Sequence, residues 1–179
     1  VAWSTAPFFT RLLPYDSWTI LFWRGLFGGG MIMVLMVLLQ GRAGLRDMIR
    51  IDINGWLIAS LSTLAMIAFI PALQLTDVSN VAIIIATGPF LAAGLAWIWL
   101  KEIPHRRTML ASAVALCGVI IIVGNARAGS DISGVALACF MAVAIAAMTV
   151  MVRRHRNTPM IAAAALSNFL GSVISIPFA

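Results

Sequence analysis

The residue with the most chemistry in this sequence is an arginine set inside an apolar run. Arg24 lies in WTILFWRGLFGGGMIMVLMVLL, about seven residues, or roughly 10 Å, from the start of that run. A guanidinium is permanently charged, planar and able to grip a carboxylate or phosphate through two parallel hydrogen bonds. Left unpaired in hydrocarbon it costs from about 3 to more than about 10 kcal/mol. Two readings follow. Arg24 faces a hydrated path and holds the anionic group of a small molecule, or it reaches outward to lipid headgroups or to Asp16.

Two polar stripes accompany it. Thr63, Ile67, Ile70 and Gln74 recur at helical spacing, as do Asn80, Ile84, Thr87 and Leu91. A few hydrogen-bonding groups among apolar ones is the make-up of a small-molecule site. The competing reading for Thr63 and Thr87 is a hydrogen bond within or between helices, and for Asn80 a helix cap. Gly88-Pro89 interrupts the second stripe's run. A proline there removes a backbone donor, leaving either a hinge with a carbonyl free for substrate or a fixed kink. Thr63, Asn80, Thr87 and Arg24 are the candidate substrate path, with Gly88 and Pro89 the candidate hinge. Trp3, Trp97 and Trp99 can stack on a ligand, but Trp97 and Trp99 stand where interfacial anchors belong.

The remaining chemistry is sparse. No phosphate-binding Gly-x-x-x-x-Gly-Lys-Ser/Thr loop is present. Cys117 and Cys139 have neither CxxC nor Cys/His spacing, and His105 and His155 lie in basic stretches. All six acids, Asp16, Asp47, Asp52, Asp77, Glu102 and Asp131, stand at or beyond the ends of apolar runs. The sequence therefore offers no catalytic constellation, no metal-ligand set, no cofactor motif and no carboxylate placed as a proton carrier in mid-span. An enzyme is not expected.

The elements that must hold these residues are membrane helices. The chain is 62% hydrophobic and 10% charged, with mean hydropathy +1.03, more apolar surface than a soluble domain of 179 residues can hide. Apolar runs fall at 1–13, 18–39, 53–75, 81–100, about 108–123, about 134–152 and 159–179. They are too long and too uniform for barrel strands, and lipid leaves only helices as the alternative. The stretch 40–51 is expected to be partly helical along the surface. Asp77, Ser79 and Asn80 offer cap oxygens to the fourth run. Small residues at four-residue spacing, Gly25/Gly29, Ala92/Ala96, Ala111/Ala115 and Ala142/Ala146, either mark close helix contacts or reflect abundant Ala and Gly.

The net charge of +6 comes from 12 Lys and Arg against the six acids. Nine of the twelve fall in alternate connectors, 40–51, 101–107 and 153–158, and only Arg11 and Arg127 fall in the others. Membrane topology accounts for that pattern, so nucleic acid is not an expected partner. By the positive-inside rule the three basic connectors are cytoplasmic. The chain starts and stops within apolar runs and is expected to be an internal fragment of a longer polypeptide.

Residue order adds a resemblance. Trp3-Ser4 is followed by Arg24, then by Ala72-Leu73 and Thr76 before an outer turn, Pro89 within the fourth span, Leu100-Lys101-Glu102 at its close, and Leu116-Cys117-Gly118-Val119-Ile120 in the fifth. In this order and spacing the chain resembles the EamA family of the drug/metabolite transporter superfamily. The resemblance implies an all-α integral membrane protein, a ten-helix inverted-repeat bundle in the full chain with about six to seven helices in this fragment. Residues 1–125 would form the first repeat, with helix 1 incomplete and helices 2 to 5 whole. Residues 134–179 would begin the second, with helix 6 and most of helix 7. Sliding the sequence by 143 residues sets Arg11 on Arg154 and Gly28 on Gly171, which is compatible with such a repeat. The implied function is secondary transport, with export the commoner direction, of small polar metabolites such as amino acids, by alternating access in the cell inner membrane. A nucleotide-sugar or sugar-phosphate exchanger and a non-transporting membrane scaffold subunit are the alternatives. Partners are the small-molecule substrate and the lipid bilayer. The chain would act as a homodimer or as a monomer.

The threading makes a direct prediction. With Cys117 and Cys139 replaced, single cysteines at positions 46 and 154 should react with an impermeant maleimide from the same side of the membrane. Labelling from opposite sides would break the topology.

Overall fold

The computed structural model of the chain describes residues 16–101, 107, 109–111, 113, 114, 117, 118, 121, 132–155 and 158–178. The first expected span (1–13), much of the fifth (108–123) and nearly all of the connector 125–133 lie outside the described residues, and with them Trp3, Arg11 and Ala115.

Every regular element among the described residues is helical. In order these are α1 (Ser17–Gln40), α2 (Arg42–Ile49), α3 (Ile53–Leu75), α4 (Val78–Ala86), α5 (Gly88–Leu100), α6 (Ile132–Arg154) and α7 (Met160–Ser175), closed by a 3-10 turn, Ile176–Phe178. Five stretches of 19 to 24 residues are long and apolar enough to cross a membrane, with α4 and α5 together making one of them, Val78–Leu100. At about 1.5 Å per residue each spans roughly 30 Å or slightly more. These coincide, within a few residues, with the second, third, fourth, sixth and seventh runs read from the sequence.

The breaks follow local chemistry. Gly41 takes a positive φ of 58°, a conformation suited to glycine. Its N–H bonds to the carbonyl of Val37 at 2.9 Å, ending α1 so that the basic segment can turn into α2. The fourth run differs from expectation. It is not one kinked helix from 81 but two helices meeting at Thr87 and beginning at Val78. Pro89 occupies the first turn of α5, where a missing donor costs nothing. The carbonyl of Thr87 accepts from the N–H groups of Phe90 (3.0 Å) and Leu91 (3.1 Å), so α5 starts with its first bonds in place. Asp77 holds the N-cap position of α4 but makes no side-chain cap bond. Its main-chain carbonyl accepts from Val81 at 3.2 Å instead.

The chain forms two compact units. Among the described residues one comprises 16–67 with 151–178, the other those between 68 and 150. In the first, α1 lies against α7. A Cβ at Gly25 would stand 2.5 Å from the carbonyl oxygen of Asn168 and 2.9 Å from the backbone nitrogen of Ser172. Gly28 faces the Asn168 side chain, and Gly29 meets the ring of Phe169 at 3.2 Å. Ser172 donates across this contact to the carbonyl of Phe22 at 3.2 Å. Trp18 stacks on Phe178 with centroids 4.6 Å apart, which ties the closing turn to the start of α1.

In the second unit Ala92 and Ala96 of α5 pack with Ala146 and Val150 of α6, flanked by Leu91, Leu95 and Leu100. Gly134 of α6 admits the backbone of Leu75 to within 2.9 Å of where its Cβ would be. The small residues thus stand at helix contacts in both units, as expected where lipid supplies no hydrophobic drive between helices. Large apolar side chains such as Phe27, Leu38, Trp97 and Ile132 are half or more exposed, the arrangement of a protein whose solvent is hydrocarbon.

Gly25→Ala should therefore destabilise the protein by about 1–3 kcal/mol, because backbone rather than a flexible side chain stands in the way. Gly30→Ala in the same helix meets nothing within 4 Å and should change stability by no more than about 1 kcal/mol. Unfolding in mixed micelles with rising sodium dodecyl sulfate measures both.

Candidate substrate path

Arg24 is placed on α1 one residue before the closest approach to α7, and its side chain is half-buried. It lines a crevice with Leu21, Gly25, Ser62, Met66, Ser167 and Asn168. These come from α1, α3 and α7 of one unit. No carboxylate is among the lining residues, and among the described residues Arg24 has no hydrogen-bond or ion-pair partner, Asp16 included. The free volume is about 10 Å³, enough for about one water molecule. A bound metabolite typically needs hundreds of cubic ångströms, so this arrangement must open before it can take one.

Thr63 stands just behind the crevice, 3% exposed. Its hydroxyl lies 2.9 Å from the carbonyl of Ala59 in its own helix and 3.0 Å from the carbonyl of Ser167 in α7. One proton serves two acceptors, so Thr63 links α3 to α7 at the wall formed by Ser167. Ser167 in turn donates to Ala164 (2.9 Å), and the Asn168 amide donates to the same carbonyl (2.8 Å).

Asn80 and Thr87 belong to the other unit. Asn80 lies on α4 and Thr87 caps its end, seven residues on and so on the same side of the helix. The Asn80 amide donates to the hydroxyl oxygen of Thr76 at 3.4 Å, so its side chain is not a helix cap. Thr87 is buried and donates to the carbonyl of Ile84 at 2.6 Å, within its own turn. Pro89 is exposed and Gly88 half-exposed beside the break. A Cβ on Gly88 would meet nothing within 4 Å, so close packing is not what requires a glycine there.

Arg24 thus lines the crevice while Thr63 does not, reaching it only through its bond to the wall residue Ser167, and Asn80 and Thr87 stand in the other unit. Among the described residues no group of three or more His, Cys, Asp or Glu is placed to hold a metal.

The residues that carry this arrangement fall in a chain whose first 124 positions match the family model described as EamA-like transporter family. The chain belongs to that family. EamA proteins are part of the drug/metabolite transporter superfamily and are membrane transporters rather than enzymes, which agrees with the helices and the five membrane-length apolar stretches found among the described residues. Neither a curated protein nor a solved structure matches it.

The sequence reading of this EamA chain missed Ser62, Ser167 and Asn168 as neighbours of Arg24. The adjacent pair Ser167-Asn168 interrupts the run AAAALSNFLGSV and was the available signal. What could not be read was that α7 lies beside α1, a pairing 150 residues apart at the Ser172–Phe22 bond.

Thr63→Val should cost about 0.6 kcal/mol, and up to about 1.7, the range found for hydrogen bonds between membrane helices. Thr63→Ser should restore most of it. The same detergent unfolding assay reads the difference.

Proposed function

We propose that this EamA chain is a secondary transporter that exports small polar metabolites, amino acids or related compounds. It works in a cell inner membrane, with connectors 40–51, 101–107 and 153–158 on the cytoplasmic side. Its two inverted repeats, 1–125 and the one beginning at 134, rock about a central site. Arg24 takes the anionic group of the substrate, and Thr63, Asn80 and Thr87 contribute to the wall. Gly88 and Pro89 allow the fourth span to bend at its break.

The observation that carries this reading is the half-buried, unneutralised guanidinium of Arg24 in a crevice whose other polar groups are neutral. A cation in that setting is costly unless an anion or water meets it, and a carboxylate is the anion that an amino acid supplies. A single cation suits one carboxylate better than the multiply charged head of a sugar nucleotide. Thr63 and Thr87 already donate to main-chain carbonyls. In this reading their hydroxyl oxygens remain open as acceptors for a substrate ammonium or hydroxyl.

Arg24→Gln in proteoliposomes should lower the transport of zwitterionic and anionic substrates by about 10- to 100-fold. That is the factor matching a charge-assisted hydrogen bond of about 1.5–3 kcal/mol. Arg24→Lys should retain part of the activity. Transport at the wild-type rate in Arg24→Gln would remove this residue from the substrate site.

A further inference from the structure

A second cationic feature lies apart from the Arg24 crevice. The end of α2 and start of α3 supply Arg50, Asp52 and Asn54. The end of α6 and start of α7 supply Arg153, Arg154 and His155. Together they line an open pocket of about 640 Å³, all within one compact unit. Two connectors that the charge pattern assigned to the same membrane side thus meet at one pocket.

Its electrostatics are one-sided. Three guanidiniums face one carboxylate. That carboxylate is engaged locally: one oxygen of Asp52 accepts from the N–H of Ile53 at 2.7 Å, the other from the amide of Asn54 at 2.8 Å. Among the described residues none of the three arginines has an ion-pair partner. Like charges gathered in excess of their counter-charge are unfavourable, and an anion in the pocket relieves this. Arginine forks match the tetrahedral oxygens of a phosphate two at a time.

The surroundings fix the depth. Ile53 begins a membrane-length helix at the rim, and Trp56, one turn further in, is 44% exposed. An indole at that position marks the headgroup level. A basic pocket between membrane helices at this level is suited to lipid phosphate.

The geometry points to a phosphate-binding site between the α2–α3 and α6–α7 connectors, filled by the phosphodiester headgroup of an anionic phospholipid, with Arg50 on one wall and Arg153 and Arg154 on the other. The site does not depend on the transport reading, since its occupant is held at the membrane surface and is not carried across.

The test uses the full-length protein in nanodiscs of phosphatidylglycerol and phosphatidylcholine, with retained lipid read by native mass spectrometry. Wild-type protein should keep phosphatidylglycerol through collisional release of the bulk lipid. Arg153→Gln/Arg154→Gln should retain at least fivefold less. Arg50→Gln, on the opposite wall and about 100 residues away in sequence, should show a loss of similar size, which a local folding defect at the end of α6 would not produce. Lys101→Gln, a basic residue outside the pocket, should behave as wild type. In phosphatidylcholine-only nanodiscs, inorganic phosphate at millimolar concentration is the second probe. Failure to bind assigns the site to lipid phosphate, while a bound adduct lost in the same variants assigns it to free phosphate. Wild-type retention in both arginine variants, loss in only one of them, or an equal loss in Lys101→Gln would overturn the site.

Discussion

Everything in this structure answers to one constraint: hydrocarbon offers no hydrogen bonds. Each polar group that enters a span must bring its partner with it. The described residues meet the demand in the same way again and again. Ser60, Thr63, Thr87, Thr149, Ser167, Asn168 and Ser175 all donate to carbonyls three or four residues back in their own helices. Among the described residues no buried side-chain nitrogen or oxygen is left without a partner. Arg24 stands outside that set: it is half-buried rather than buried, and its five donors cannot be absorbed by one turn of helix. That contrast is what makes it informative.

The same constraint explains how the helices are joined. With no hydrophobic gain in pressing one apolar rod on another, contact must come from close backbone approach and the occasional shared proton. Gly25, Gly28 and Gly29 give α1 its approach to α7, and Ser172 and Thr63 supply the shared protons. Alanines do the equivalent work between α5 and α6. Pro71, inside α3, has no N–H to give the Ile67 carbonyl, so that helix is one bond poorer there.

Much of this was legible in advance, and the reasons are specific. Five apolar stretches were readable because their length and lack of charge leave no other structure available in lipid. The spacing of Gly25 and Gly29 raised close packing as one of two readings, and the α1–α7 contact decides for it. The break in the fourth span was signalled by Pro89, but its position at Thr87 was not, because a proline is best accommodated in the first turn of a new helix rather than at a bend in an old one. Asp77, Ser79 and Asn80 all offered cap oxygens, and their spacing did not choose among them. The cap position went to Asp77, which left Asn80 a full turn above Thr76 and within reach of its hydroxyl. The walls of the Arg24 crevice were hidden because they depend on which helices are neighbours, and hydropathy is silent on that.

The α1–α7 contact also bears on biosynthesis. Phe22 and Ser172, bonded to each other across it, are 150 residues apart. At ordinary elongation rates of about 5–20 residues per second, roughly 8 to 30 seconds separate their emergence from the ribosome. For that interval the glycine groove of α1 and its arginine are in the translocon or the bilayer with no α7 to cover them. The pairing can therefore close only late in synthesis, after α1 has stood without its partner helix for the whole of that interval.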